Sequence, residues 1–144
     1  MAVGPQANST AQRSYKSCGM IKMPTARVAI VDDEASVRRA LARLLGASSF
    51  SSRTYASARE FLNSLVCDVP ECLIIDLQMP EMTGLELQHE LLRVGVKIPT
   101  IVITAHNEES FRERCRAAGA AACLLKPLDE VTLIAAINTA IERR

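Results

Sequence analysis

Three acids, a threonine and a lysine stand at the ends of short apolar runs. Asp32 and Asp33 follow Val28–Val31, Asp76 follows Leu73–Ile75, Thr104 follows Thr100–Ile103, and Lys126 follows Ala121–Leu125. Carboxylates about 4 Å apart repel by roughly 4 kcal/mol at an effective dielectric near 20. Such a group needs a cation, or it protonates. With oxygen donors and no Cys or His at these positions, the ion selected is hard, Mg²⁺ or Mn²⁺. A threonine hydroxyl donates a hydrogen bond and a lysine ammonium is a mobile cation, both suited to an anionic oxygen. The set describes phosphoryl transfer to a carboxylate, with Asp76 as the nucleophile that forms an acyl phosphate. Asp33 and Asp76 are expected to hold the ion, Asp32 to assist through a bound water, and the backbone carbonyl of Gln78 to complete the shell. Thr104 and Lys126 take the remaining phosphoryl oxygens. Ala105 is small enough to leave the approach open. Taken singly, an acid after a strand merely caps the next helix, and a Thr or Lys there is a solvated terminus. Four strand ends bearing the complete set argue for the chemistry.

These residues converge only if the right elements carry them. From Arg27 onward strand-like and helix-like segments alternate. The strands are expected at Arg27–Val31, Ser51–Tyr55, Cys72–Ile75, Thr100–Ile103 and Ala121–Leu125. In the first helical segment Val37, Leu41, Leu44 and Leu45 share a face, and Gly46 is a natural stop. Ser57–Leu65 forms a short second helix with Ser57 as its N-cap. Gly84–Val94 presents Leu87 and Leu91 and is followed by Gly95. Glu108–Ala118 presents Phe111 and Cys115 and ends at Gly119. Asp129–Glu142 aligns Ile134, Ile137 and Ile141. This alternation predicts an α/β fold, a flavodoxin-like doubly wound five-stranded parallel sheet of order 2-1-3-4-5 with five helices. In that order the ligand crevice opens at the carboxyl ends of strands one and three, where the acids fall.

The chain of 144 residues suits one domain, with 49% apolar residues to fill its core. Its formal charge is +1, with 17 Lys and Arg scattered among 16 acids, so no basic stripe marks a nucleic-acid reader. Trp is absent and Phe and Tyr are few, which removes a stacking platform for single strands. No apolar run is long enough for a membrane span, and the first residues lack a signal-peptide core. The five cysteines, Cys18, Cys67, Cys72, Cys115 and Cys123, are odd in number and form no C-x-x-C pair. They read as reduced, packed thiols in a cytoplasmic protein. Residues 1–26 lack periodicity and are expected to form a flexible N-terminal tail, within which Met20 and Met23 offer later starts. The single domain then spans 27–144.

Val31-Asp32-Asp33-Glu34, Asp76-Leu77-Gln78-Met79-Pro80 with Gly84 beyond, Thr104-Ala105-His106 and Lys126-Pro127 together resemble the receiver signature of two-component response regulators. The run from Asp76 to Leu87 most resembles receivers of the nitrogen-fixation and nitrate-regulator type. The resemblance implies Mg²⁺-dependent transfer from a sensor histidine kinase or phosphotransfer protein onto Asp76, followed by self-catalysed hydrolysis, so a signalling switch rather than an enzyme. It also implies a cis peptide before Pro127. In this family the positions of Gln78 and His106 tune the lifetime of the acyl phosphate, and His106 is expected to screen or guide water. One position departs. Receivers usually carry an aromatic residue three before the lysine, as a switch that reports movement of the threonine, and here it is Cys123.

The output surface implied is the fourth helix, fifth strand and fifth helix, about residues 108–141, pairing with a downstream protein or a second copy. Nothing beyond the closing helix carries an output motif, which fits a single-domain regulator or a piece of a longer one. A competing reading is a phosphorylation-independent adaptor on the same fold, favoured by Cys123 and opposed by the intact acid set. A haloacid-dehalogenase-type hydrolase fits poorly, because such enzymes place both acids of D-x-D at one strand end.

Overall fold

The computed structural model describes residues 25–105 and 109–143. Most of the expected tail at 1–26, together with Cys18 and His106, lies outside the described residues. In chain order the elements are β1 (Arg27–Val31), α1 (Ala35–Ala47), β2 (Ser51–Tyr55), α2 (Ala58–Ser64), β3 (Cys72–Asp76), α3 (Gly84–Val94), β4 (Thr100–Thr104), α4 (Glu109–Ala117), β5 (Ala122–Leu125) and α5 (Glu130–Arg143). The sheet is parallel throughout, in the order β2-β1-β3-β4-β5. This is the flavodoxin-like topology expected from the alternation. Among the described residues no helix is long and apolar enough to cross a membrane.

Two cores flank the sheet, and the two-residue period of a strand decides which side chain enters which. Ala29, Val31, Leu73, Ile75 and Val102 face one core, where Phe61 of α2, Leu87 and Leu91 of α3 and Cys115 of α4 meet them. Val28, Ile30, Cys72, Ile74, Ile101 and Ile103 face the other, under Leu41 and Leu45 of α1 and Leu133, Ile137 and Ala140 of α5. The central strands are therefore apolar on both faces, as helix-covered parallel strands must be. The outer strands differ. β2 is largely exposed and β5 only half-buried. The strand expected at Ser51–Tyr55 nevertheless forms with those bounds. This strand is held by its ladder to β1 and by Tyr55, whose ring meets Phe61 edge-on at 5.5 Å between centroids.

Local signals set most boundaries. Ser57 Oγ accepts the Glu60 N–H at 3.1 Å, the N-cap expected of it. Thr83 and Glu86 form a reciprocal capping box at the start of α3, with bonds of 3.1 and 2.9 Å. Gly95 closes α3 in the left-handed region at φ 78°. Asp129 accepts the Thr132 N–H at 2.9 Å and so lies just before α5 rather than within it. Gly46 does not stop α1, which runs on to Ala47. The reversal comes at Ser49, with φ 69°, and the Phe50 N–H returns to the Leu45 carbonyl at 2.9 Å.

Candidate functional site

The carboxyl ends of β1 and β3 are adjacent, since Val31 pairs with Ile75. Asp32 therefore continues beside Asp76, and β4 and β5 bring Thr104 and Lys126 to the same edge. Ligand oxygens of Asp32, Asp33 and Asp76 all lie within 4.8 Å of one another. Asp32 and Asp76 are buried and Asp33 is exposed. Lys126 Nζ stands 3.5 Å from Asp76 Oδ2. Thr104 is buried at the end of β4, and its carbonyl accepts the Lys126 N–H at 2.8 Å. Ala105, next after Thr104 in the chain, is exposed. The Lys126–Pro127 peptide is cis.

Main-chain hydrogen bonds hold the acids in place. The Asp32 N–H donates to the Tyr55 carbonyl at 3.1 Å, and Asp32 Oδ1 accepts the Glu34 N–H at 2.9 Å. Asp76 Oδ1 accepts the Gln78 N–H at 3.2 Å, while the Gln78 side chain is exposed. Burial pushes the Asp32 carboxyl above its ordinary value, the Glu34 N–H opposes this, the negative charge of Asp76 adds to it, Lys126 opposes it, and Asp33 adds again. A site that penalises its own carboxylates in this way has a donor set suited to a small, hard, divalent cation. The residues fit Mg²⁺ or Mn²⁺.

Two contributors were not anticipated from the sequence. Arg38, in the first turns of α1, donates from Nη1 to the Asp32 carbonyl at 2.7 Å and so ties the acid-bearing turn to the helix that follows it. The available signal was a pair of arginines, Arg38 and Arg39, six and seven positions beyond Asp32. The second is the reason for Gly84. A Cβ at Gly84 would lie 2.7 Å from the Asp76 carbonyl oxygen and 3.0 Å from Leu77 Cα. Its N–H donates to the Leu77 carbonyl at 3.0 Å. Helix α3 therefore starts against the main chain of the acid-bearing strand, at a distance only glycine permits.

Cys123 packs against the core beside Cys115 rather than at the acid cluster. Burial, and then the neighbouring Cys123 thiol with its hydrogen bond, push the Cys115 thiol up to about 11, so it stays protonated. Cys72, in the other core, is pushed by burial to about 12. Cys67 is exposed.

A doubly wound parallel sheet with buried acids at its topological switch point and a lysine facing them defines the class of this domain. The family model for the response regulator receiver domain matches residues 28–138. Nodulation protein W of Bradyrhizobium diazoefficiens is 37% identical over 81% of this chain and 51% of its own length. The transcriptional regulatory protein FixJ of Rhizobium meliloti is 39% identical over 80% of this chain and 56% of its own. Among solved structures, FixJ-N superposes with a TM-score of 0.79 at 36% identity, covering 85% of this chain and 98% of that one. A receiver protein from Burkholderia phymatum does so with a TM-score of 0.73 at 40% identity, covering 82% and 96%. This chain belongs to the response regulator receiver family of two-component signalling. It spans about half the length of the curated relatives it matches.

Proposed function

We propose that residues 27–144 form a phosphoryl-accepting switch in which Asp76 takes the phosphoryl group. The observation that carries this reading is the convergence of three carboxylates and Lys126 at one sheet edge. A bound Mg²⁺ or Mn²⁺, held by Asp33, Asp76 and the Gln78 carbonyl with Asp32 assisting through a bound water, would neutralise charge on the incoming phosphoryl oxygens. An Asp76 carboxylate oxygen attacks phosphorus as the bond to the donor's leaving group breaks, and an acyl phosphate results. Lys126 leaves its contact with Asp76 for a phosphoryl oxygen, Thr104 donates its hydroxyl to another, and Ala105 leaves the path clear. Water later attacks the acyl phosphate, with His106 and Gln78 setting the rate.

The donor is a sensor histidine kinase or phosphotransfer protein in the cytoplasm. Phosphorylation shifts a pre-existing equilibrium and exposes a pairing surface on α4, β5 and α5 for a downstream protein or a second copy. Cys123 in place of an aromatic residue makes that readout depend on packing against α4 rather than on a rotating ring. The domain itself does not contact nucleic acid.

Intact-mass spectrometry after incubation with acetyl phosphate and Mg²⁺ tests the chemistry. One added phosphoryl group is expected, absent with Asp76→Ala and absent with chelator. No uptake by folded protein would sink this reading and favour the phosphorylation-independent adaptor.

A further inference from the structure

Helix α4 ends in a turn that folds the chain back on itself. The Ala120 N–H donates to the Cys115 carbonyl at 3.0 Å and the Gly119 N–H to the Arg116 carbonyl at 2.9 Å, with Gly119 at φ 98°. This is the left-handed stop that glycine makes easy, and it leads directly into β5. There Cys123 pairs with Val102 of β4. Residues level with each other in a parallel ladder point to the same face of the sheet. Val102 faces the core that holds Cys115, so Cys123 faces it too. The two thiols are in hydrogen-bond contact.

Their surroundings differ. Cys115 is wholly buried, whereas Cys123 is half-buried. Little holds the helix over them. Within α4 only Cys115 is fully buried. Arg112 and Arg116 pair with Glu109, and Arg116 with Glu113, all on the exposed side of the helix. Exposed pairs of this kind contribute little to stability. A short helix with so small an apolar hold opens locally at low cost, and each opening admits small solutes to the thiols.

We propose that Cys115 and Cys123 are a redox-modified pair, closed into an intramolecular disulfide by low-molecular-weight disulfides and reopened by thiols, which pins α4 to β5 while the bond lasts. The Cys123 thiolate attacks one sulfur of the small disulfide, and a mixed disulfide forms as one small thiolate leaves. The Cys115 thiol then loses its proton and attacks the Cys123 sulfur, expelling the second small thiolate. Two protein thiols are oxidised, one small disulfide is reduced to two thiols, and these carry away both protons. The order follows from the environment. Burial that pushes the Cys115 thiol up to about 11 keeps it from attacking solutes and leaves it the resolving partner. In a reducing compartment such a bond is transient, which suits regulation rather than structural support. The pair takes no part in the acid cluster and does not rest on the phosphoryl reading.

The test uses the full chain carrying Cys18→Ser and Cys67→Ser, incubated folded with glutathione disulfide at mildly alkaline pH. Intact mass is expected to fall by two hydrogens. Alkylation in denaturant should then find one free thiol, Cys72, in place of three. Peptide mapping should join Cys115 to Cys123. In the same background Cys115→Ala should stop at one glutathione on Cys123, and Cys123→Ala should take up none. Amide exchange across α4 should be slower by about threefold or more in the disulfide form than in the reduced one. Urea unfolding with an unchanged slope shows that each variant is folded. Four results would each overturn the proposal. They are no loss of hydrogens under conditions that fully modify the exposed Cys67 of the wild type, a crosslink to Cys72, glutathione on Cys115 in the Cys123→Ala chain, and unchanged exchange across α4.

Discussion

Replacing Gly84 by alanine tests whether helix α3 must touch the acid-bearing strand. In an open helix the change stabilises by about 1 kcal/mol, because glycine is the poorer helix former. Here the added carbon meets the Asp76 carbonyl oxygen at 2.7 Å and Leu77 Cα at 3.0 Å. Both are backbone atoms of a buried segment, so neither can swing aside as a side-chain tip would. Overpacking costs about 1–3 kcal/mol. Loss of the Gly84 N–H bond to the Leu77 carbonyl, 3.0 Å long, adds about 0.5–1.5 kcal/mol as the helix is pushed away. Subtracting the propensity gain leaves a net loss of about 0.5–3.5 kcal/mol. Urea denaturation in chelator measures it directly, as a lower midpoint with an unchanged slope. The same displacement moves the Asp76 main chain, so phosphoryl uptake from acetyl phosphate should slow as well. A Gly84→Ala protein as stable as the wild type or more so would refute the close-approach argument.

Asp32→Asn should stabilise the metal-free protein near neutral pH by between about 1 and 3 kcal/mol, from relief of like charge within 4.8 Å. Because the folded protein raises the Asp32 carboxyl above its ordinary value of 3.8, wild-type stability from this group is complete below that value and is lost as pH rises through the folded one. The advantage of the Asn variant should therefore grow with pH, and a pH-independent difference in urea midpoints would contradict it. Mg²⁺ at a hundred times its dissociation constant should stabilise the wild type by about 2.7 kcal/mol, read as a rise in melting temperature that Asp76→Ala abolishes. Arg38→Met should cost about 1–2 kcal/mol by leaving the Asp32 carbonyl without its 2.7 Å donor. It should also weaken Mn²⁺ binding by about tenfold, and calorimetry showing wild-type affinity would remove Arg38 from the site.

The parts of the molecule legible in the sequence are those where one residue type answers one local demand. Ile30 and Val31, Ile74 and Ile75, and Ile101 and Val102 announce strands buried on both faces, and the acids after two of those strands fall where the strand order reverses. Ser57 and Gly95 behave as their types require. Ser51–Tyr55 is a strand despite its exposure because an edge strand needs little apolar surface, being fixed by its ladder and one aromatic contact. Gly46 misled because a glycine near a helix end is a stop only if the chain needs the left-handed region there, and Ser49 supplies that turn. Arg38 and Gly84 serve the site through backbone carbonyls, and a carbonyl has no letter in the sequence. Gln88 likewise reads as an ordinary polar helix residue until the packing of α3 shows where it is buried.

The bond from the Lys126 N–H to the Thr104 carbonyl ties the lysine to the threonine one residue past the Thr104–Leu125 rung. That rung belongs to β4 and β5, and β5 has a neighbour on one side only. An inner strand that moves must carry or break two ladders, whereas β5 can follow the end of β4 while disturbing one. A pull on the threonine therefore has an easy direction, outward to the free margin of the sheet. In hydrogen exchange this should appear as amides of β5 that open more readily than those of β1 or β3, with the difference largest nearest Lys126.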